Sequence, residues 1–165
     1  MLTNLFKQVY GWNATEFSNA SAITAGINAL IMALTIIILV KKLKLDDVIL
    51  TLIGNISFSF GCIIRGSIEN QIGFYLSSVF ISFIAIIPIG TRSKLSKIVS
   101  EDDIGKVFSL LSTCETIAPV LGSFVYTGIF SSSINSYFGL TYHFSAAFLI
   151  IAIVSLLFIN CRRDN

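Results

Sequence analysis

Long apolar runs dominate the chain, and most of them have the length that crosses a lipid bilayer as an α-helix. A hydrocarbon core about 30 Å thick needs roughly 20 consecutive apolar residues in helical form. Charged residues are absent from three such runs, at positions 17–40, 48–64 and 71–91. A fourth run, 107–161, is too long for one helix, and a Ser-, Asn- and Gly-rich cluster at 131–139 is typical of a loop.

The pattern therefore predicts an all-α transmembrane protein. Strands of a membrane β-barrel would be segments of about ten residues that alternate between apolar and polar. Helices also satisfy every backbone hydrogen bond within one segment, which lipid requires. Composition agrees, because only 12% of the residues are charged, against about 25% in soluble domains. We predict five membrane-spanning helices, at about 21–40, 48–68, 71–91, 107–130 and 143–161.

The lysine and arginine residues fall on one side of this predicted bundle. If the spans alternate in direction, the links 41–47 and 91–106 share a face with the tail 162–165, and together they carry nine of the eleven basic residues. The opposite face has only Lys7, while Arg65 lies inside a span. Cytoplasmic loops of membrane proteins are enriched in Lys and Arg. The C-terminus is therefore predicted to be cytoplasmic.

The outer segment, residues 1–20, carries two further signals. N-glycosylation sequons occur at Asn13 and Asn19, and the predicted orientation places both outside the cytoplasm. We therefore predict that the protein is a glycoprotein. Five spans with an outer N-terminus are uncommon, and residues 1–12 look like the end of an earlier helix. This arrangement predicts that the chain is a fragment of a longer protein.

Polar residues recur at helical spacing within the fourth span. Ser112, Glu115, Thr116 and Tyr126 share one face, because positions three or four apart lie above one another. Small polar residues either pack membrane helices together or line a water-filled transport pathway, and both interpretations stay open. Glu115 favours the path, since an ionisable group near the bilayer centre is costly unless it is paired, hydrated or protonated. Asn28 in the first span belongs to a weaker stripe of the same kind.

Arg65 lies near the outer end of the second span, and its role has two interpretations. A long basic side chain at this depth can extend to the lipid headgroups. It can equally serve as a charge partner for Glu69, Glu115 or an anionic solute. The sequence leaves both open.

Enzyme chemistry is disfavoured. A hydrolase needs a nucleophile with a base, paired carboxylates or a metal cluster, whereas the chain has one histidine and one acid at mid-membrane depth. The three cysteines lack metal-binding spacing and fall in or beside apolar stretches. We predict no catalytic residues, metal or cofactor, and a net charge of +2 is too small to indicate nucleic-acid binding.

The most specific sequence motif in the chain lies between the third and fourth spans. Residues 92–99 (RSKLSKIV) and 101–110 (EDDIGKVFSL) are followed by Glu115, Pro119 and Tyr126. This stretch resembles the loop between helices ten and eleven in the proton-coupled folate transporter and thymic stromal cotransporter family of the major facilitator superfamily. The resemblance implies that the five spans correspond to helices eight to twelve, and that helices eight, ten and eleven lie nearer the central cavity.

The same resemblance implies a function. A protein of this family would be a secondary active transporter for a small organic solute, proton-coupled and working by alternating access, in the plasma membrane or an endolysosomal membrane. Its partners would be the lipid bilayer, the solute, protons and the N-terminal six-helix half of the same transporter. Arg92, Lys97 and Lys106 resemble inner-gate residues, and the positive-inside rule alone is the other explanation of their position. The alternative is a multi-pass membrane protein with a structural or interaction role and no transport.

The predicted sidedness can be tested directly. Epitope tags inserted into the links 41–47 and 91–106 should both map to the cytoplasmic side, because both links are rich in basic residues. Protease protection of sealed vesicles measures this. Tags that map to opposite compartments would contradict the five-span topology.

Overall fold

The computed structural model of the chain describes residues 10–42, 45–133, 137 and 139–163. This part is helical apart from short links. We number the α-helices in chain order as α1 (Ala14–Thr35), α2 (Asp47–Ser67), α3 (Gln71–Ile81), α4 (Ile86–Ile98), α5 (Ile104–Ser133) and α6 (Leu140–Arg163). A π-helical segment, Ile36–Lys42, continues α1, and a 3₁₀ turn, Ser82–Ala85, joins α3 to α4.

The prediction of an all-α transmembrane fold is confirmed. Among the described residues, five helices are long and apolar enough to cross a membrane, and α3, the 3₁₀ turn and α4 together form the third of them. The helices extend beyond the predicted spans at several ends: α1 begins at Ala14, and the third span continues to Ile98. The predicted link 91–106 is therefore helical over much of its length.

The prediction of a loop beginning at Ser131 is wrong, because Ser131–Ser133 end helix α5. The Ser131 hydroxyl donates to Gly128 O at 3.0 Å, and the Ser132 hydroxyl donates to Ile129 O at 2.9 Å. Serine side chains can thus bind the preceding helical turn instead of ending the helix. Of the other predicted loop residues, Gly139 lies in a turn before α6, and 135–136 lie outside the described residues.

Polar residues next to the apolar runs fix where two of the helices begin. The Asp46 carboxylate accepts a hydrogen bond from Val48 N at 3.0 Å, and the Asn70 side chain accepts one from Gly73 N at 2.8 Å. Both satisfy backbone donors that have no partner within the first turn of a helix. The short polar links between the spans therefore act as helix start signals as well as turns.

Helix α2 lies between α6 and the third span, and it is the most enclosed of the five spans. Its contact with α3 depends on Gly61, where a Cβ atom would lie 3.0 Å from Ile81 N and 3.1 Å from Ser77 O. Small residues let membrane helices approach to backbone contact. On the other side, the Tyr137 hydroxyl donates to Gly66 O at 3.0 Å and contacts His143 Nε2 at 2.6 Å, so the start of α6 is bound to the end of α2.

Helix α5 has the opposite character. None of the residues in its most apolar stretch is buried, and its main neighbour is α6. Tyr126 makes that contact: its hydroxyl accepts from Ser145 Oγ at 3.0 Å, and its ring packs edge-on against Phe144 at 6.2 Å between centroids. Most of the surface of α5 is therefore open within these five spans.

We predict that Gly61→Ala destabilises the bundle by about 1–3 kcal/mol, because the added methyl group meets backbone atoms of α3 that cannot rotate away. The loss of stability is measured by heating the protein in nanodiscs with a thiol-reactive dye. The dye reacts with the neighbouring buried Cys62 when the bundle unfolds, and Cys114 and Cys161 are replaced by serine so that only Cys62 reports.

Gly26→Ala is the matched control, since a Cβ there meets no atom within 4 Å. Because alanine has a higher helix propensity than glycine, Gly26→Ala should leave the free energy of unfolding unchanged or raise it by up to about 1 kcal/mol. Equal stability of the two variants would contradict the close contact between α2 and α3.

Candidate functional site

An ion pair links the third and fourth spans. Arg92 Nη2 of α4 lies 2.5 Å from Glu115 Oε2 of α5. Arg92 lies about two turns from the C-terminal end of α4, and Glu115 lies about three turns into α5, so both residues belong to the helical part of their spans. The two side chains remain 49% and 38% exposed, and the pair can therefore be reached from outside the protein.

A groove lined by hydroxyl groups runs along α5, the helix that carries Glu115. It has a volume of about 360 Å³ and is lined by Ser109, Ser112, Thr113, Thr116 and Ile117. Thr113 and Thr116 donate to backbone carbonyls of the preceding turn at 2.9 and 2.8 Å. Their oxygens therefore remain able to accept hydrogen bonds from a ligand. The predicted pathway residues Ser112 and Thr116 do lie together with Glu115 on one region of α5.

The other two predicted pathway residues lie elsewhere. Tyr126 joins α5 to α6, as described above, and it does not line the groove. The Asn28 Oδ1 atom lies 2.5 Å from Ser82 Oγ in the 3₁₀ turn of the third span. Asn28 is thus a contact between α1 and the third span.

Arg65 does not pair with Glu115 or Glu69, which corrects these two predicted partners, whereas pairing with an anionic solute stays a prediction. Its guanidinium donates to the hydroxyls of Ser77 and Ser78 at 3.0 and 2.8 Å and to Phe74 O at 3.3 Å. Its Cζ atom also lies 4.5 Å from the centre of the Phe74 ring, a favourable cation–π distance. Glu115 is bound to Arg92 instead. Arg65 therefore fastens the C-terminal end of α2 to α3.

A cluster of aromatic rings lies next to Arg65. Tyr10 and Trp12 stack with their ring centroids 5.2 Å apart, and Trp12 packs edge-on against Phe74 at 5.1 Å. Burial raises the pKa of Tyr10 to about 12, so its phenol stays protonated at every physiological pH. This cluster ties the segment before α1 to α3.

The three predicted inner-gate residues have different partners. Arg92 binds Glu115, and Lys97 Nζ lies 2.6 Å from Asp47 Oδ2, so both connect different spans. Lys106 instead binds Asp103, three residues earlier, at 2.7 Å. Lys97 and Lys106 are well exposed, whereas Asp47 is nearly buried at the start of α2.

The two predicted glycosylation sites are both exposed. Asn13 immediately precedes α1, and its backbone N–H donates to Glu16 at 2.7 Å. Asn19 lies within α1, whereas glycosylated asparagines are typical of surface loops. Glycosylation stays a prediction, with Asn13 the better-placed acceptor.

Sequence reasoning missed the serines of the third span. Ser77, Ser78 and Ser82 are buried and bind Arg65 or Asn28 across helices. The signal was present, because these positions share a face of one helix and Arg65 and Asn28 are polar residues of the flanking spans. Asp47 was also missed as the partner of Lys97, since adjacent acids at a helix start look like caps.

Comparison with known proteins gives relatives of one kind. Solute carrier family 46 member 2 of Mus musculus is 30% identical over 109 residues, 66% of this chain and 22% of that protein. The Canis lupus familiaris protein of the same name is 27% identical over 151 residues, 91% of this chain and 31% of that protein. The lysosomal proton-coupled steroid conjugate and bile acid symporter SLC46A3 of Homo sapiens is 27% identical over 122 residues, 73% of this chain and 26% of that protein.

The homologues of this chain are solute carriers of family 46. They are transporters of the major facilitator superfamily and not enzymes, which confirms the resemblance found in the sequence. The chain spans between 22% and 31% of the length of these three family 46 relatives. No protein-family profile matches the chain. No solved structure matches it significantly.

We predict that exchanging the two charges preserves the pair. Arg92→Glu and Glu115→Arg alone each place like charges at the contact and should lower the midpoint of thermal unfolding. The double exchange should recover most of the loss, with a coupling energy of about 0.5 kcal/mol or more in a double-mutant cycle.

Glu101→Arg, in the exposed link before α5, is the control and should change the midpoint little. Strictly additive effects of the two single exchanges would show that Arg92 and Glu115 do not interact.

Proposed function

We propose that these five spans form part of a secondary active transporter that moves a small organic solute by alternating access, coupled to proton symport. The observation that carries the proposal is the Arg92–Glu115 pair between two spans, whose glutamate belongs to the same open helix as a hydroxyl-lined groove. Substrate sites in transporters of this kind lie near the midplane, between helices of different repeats. The family 46 relatives support the same reading.

The pair has the chemistry needed to couple a proton to an anion. While Glu115 is ionised, it neutralises Arg92 and occupies its donors. A proton on Glu115 removes that attraction and frees the guanidinium to bind an anionic group of the solute. Return of Arg92 to Glu115 then favours release of both proton and solute. This cycle supports symport, because the anion and the proton are bound in the same state.

The lining of the groove suits an amphipathic organic anion. Its hydroxyls can bind polar groups of a solute, and Ile117 offers an apolar contact. Arg92 does not line the groove, but it binds Glu115 of the same helix and can bind a carboxylate or sulfate. One relative is named as a symporter of steroid conjugates and bile acids, which are molecules of this class. We therefore propose a steroid conjugate or a similar anion as the solute.

The open surface of α5 supports a further helical partner. Alternating access requires two repeats that move against each other around the site. An N-terminal six-helix half of the same transporter would cover the groove and supply its second wall. In this arrangement the solute would lie between α5 and that half.

Two further observations support a proposed orientation and a proposed membrane. Lys97 and Asp47 pair at one end of the bundle, which supports placing the links 41–47 and 91–106 on a common, cytoplasmic side. We propose an endolysosomal membrane, since one relative is named as lysosomal. Acid in that lumen would supply the proton gradient.

The test is uptake of a labelled steroid sulfate by cells that express the full gene product at their surface. Acidic external pH should stimulate uptake, and Glu115→Gln should abolish that stimulation because the side chain can no longer gain or lose a proton. Arg92→Ala should reduce uptake about tenfold or more, which corresponds to a loss of ~1.4 kcal/mol in solute binding.

Glu101→Gln, a matched carboxylate in the exposed inner link, should keep normal uptake and its pH dependence. If Glu115→Gln retains the full response to pH, the proton-coupling role of Glu115 is wrong. Absence of uptake of any organic anion at either pH would favour a structural role for the protein.

A further inference from the structure

The third span changes its winding in the middle. Between α3 and α4, Ser82–Ala85 form a 3₁₀ turn, just ahead of Pro88. Proline has no N–H to donate to the carbonyl of Ile84, and its ring conflicts with that carbonyl. Proline alone does not dictate the change, because α5 continues as an α-helix through Pro119. Something else holds the third span in the tighter winding.

Polar side chains of two neighbouring spans bind the third span, one within the 3₁₀ turn and one just before it. The Ser82 hydroxyl of the turn lies 2.5 Å from Asn28 Oδ1 of α1 and 2.7 Å from Ser78 O. The Ser57 hydroxyl of α2 donates to Phe80 O at 3.2 Å, just before the turn. Departure from α-helical winding disturbs the regular carbonyl partners, and a hydroxyl from a neighbour compensates for this.

The backbone of α2 also fits this turn closely. A Cβ atom at Gly54 would lie 3.2 Å from Phe83 O and 2.8 Å from a side-chain carbon of Ile87. Residues 82–85 are therefore enclosed by α1 on one side and by α2 on the other. Contacts on both sides favour the 3₁₀ form over the α form.

The winding of four residues determines the rotation of α4. An α-helix turns by about 100° per residue and a 3₁₀ helix by about 120°. Rewinding residues 82–85 to the α form would rotate α4 relative to α3 by about 80° and shorten the span by about 2 Å. A side chain about 5–6 Å from the helix axis would move by about 7 Å.

Such a rotation would separate both ion pairs of α4 together. Arg92 reaches Glu115 of α5, and Lys97 reaches Asp47 of α2, from the same short helix. Both distances are at most 2.6 Å, so a displacement of about 7 Å breaks them. The outer half, α3, stays fixed because Arg65 binds Ser77 and Ser78.

We propose that residues 82–85 are a winding switch, in which Asn28 and Ser57 are positioning residues for the inner ion pairs. With the turn in 3₁₀ form, Arg92 and Lys97 are paired and α4 is joined to α2 and α5. With the turn rewound, both pairs open in one step. The rotation itself does not depend on the proposed function. Only its consequence, control of access to the Arg92–Glu115 pair, rests on that function.

The experiment measures the distance between α4 and α5 by pulsed electron paramagnetic resonance on the full chain in nanodiscs. One spin label is attached to Cys114, beside Glu115, and the other to Ser96→Cys, an exposed position on α4. Cys161 is replaced by serine, and Cys62 is buried. Pro88→Ala removes the obstacle to α-helical winding and should shift the distance or add a second population several ångströms away, about 7 Å at most.

Three comparisons make the result decisive. Pro119→Ala, a proline in a helix without a 3₁₀ turn, should leave the distance unchanged. Ser82→Ala should broaden the distribution, whereas Ser82→Thr keeps the hydroxyl and should restore it. Protection of Cys62 from a thiol reagent confirms that each variant is folded.

An unchanged distance in both Pro88→Ala and Ser82→Ala would overturn the winding switch. The measurement needs neither solute nor uptake. If the distances shift as expected but no organic anion is transported, the proposed function fails and the switch stands. If transport depends on Glu115 but the distances never change, the proposed function stands and the winding switch fails.

Discussion

The structure depends on one constraint, which is that lipid offers no hydrogen bonds to the backbone. Each span must satisfy its own donors and acceptors, or take partners from a neighbouring span. Most of the chain does this by regular α-helix. Serine and threonine hydroxyls supplement it, and in the third span Ser57 reaches across from α2 to the carbonyl of Phe80. Departures from the regular pattern are therefore found where spans contact each other closely.

This constraint also explains the unequal roles of the spans. Helix α2 carries glycine where its neighbours come closest, so α3 and α6 can pack against its backbone. Helix α5 keeps its hydroxyl groups on an open surface and contacts mainly α6. The bundle thus combines a tightly packed centre with one loosely attached helix, and the groove lies on the loosely attached helix.

Much of the fold could be predicted from the sequence, because apolar runs near 20 residues leave few alternatives in a membrane. The helix ends were less predictable. Ser131–Ser133 look like loop residues, yet their hydroxyls bind the preceding turn. The 3₁₀ turn was not foreseen either, since Pro88 and Pro119 are both prolines inside apolar runs and only contacts with neighbouring spans distinguish them.

The part of the site that lies on a single helix was predictable from the sequence. Ser112, Glu115 and Thr116 belong to one helix, where spacing alone places them on a common face. Pairing between helices depends on rotation and depth, which spacing along the chain does not contain. The sequence therefore left open whether Arg65 could pair with Glu115, whereas the fold brings Arg92 to that carboxylate. The partners of Arg65 turned out to be serines, whose hydroxyls are easily taken for packing residues.

The neutral groups around Arg65 have a consequence for the electrostatic potential. Hydroxyls and a carbonyl bind its guanidinium, and no carboxylate in the described part of the chain pairs with it. Its positive charge is therefore not held in an ion pair, whereas that of Arg92 is paired with Glu115. In a medium of low dielectric constant such a charge creates a positive potential over a long range. A negatively charged group that approaches this end of α2 would therefore be attracted, and a cation repelled, before any specific contact forms.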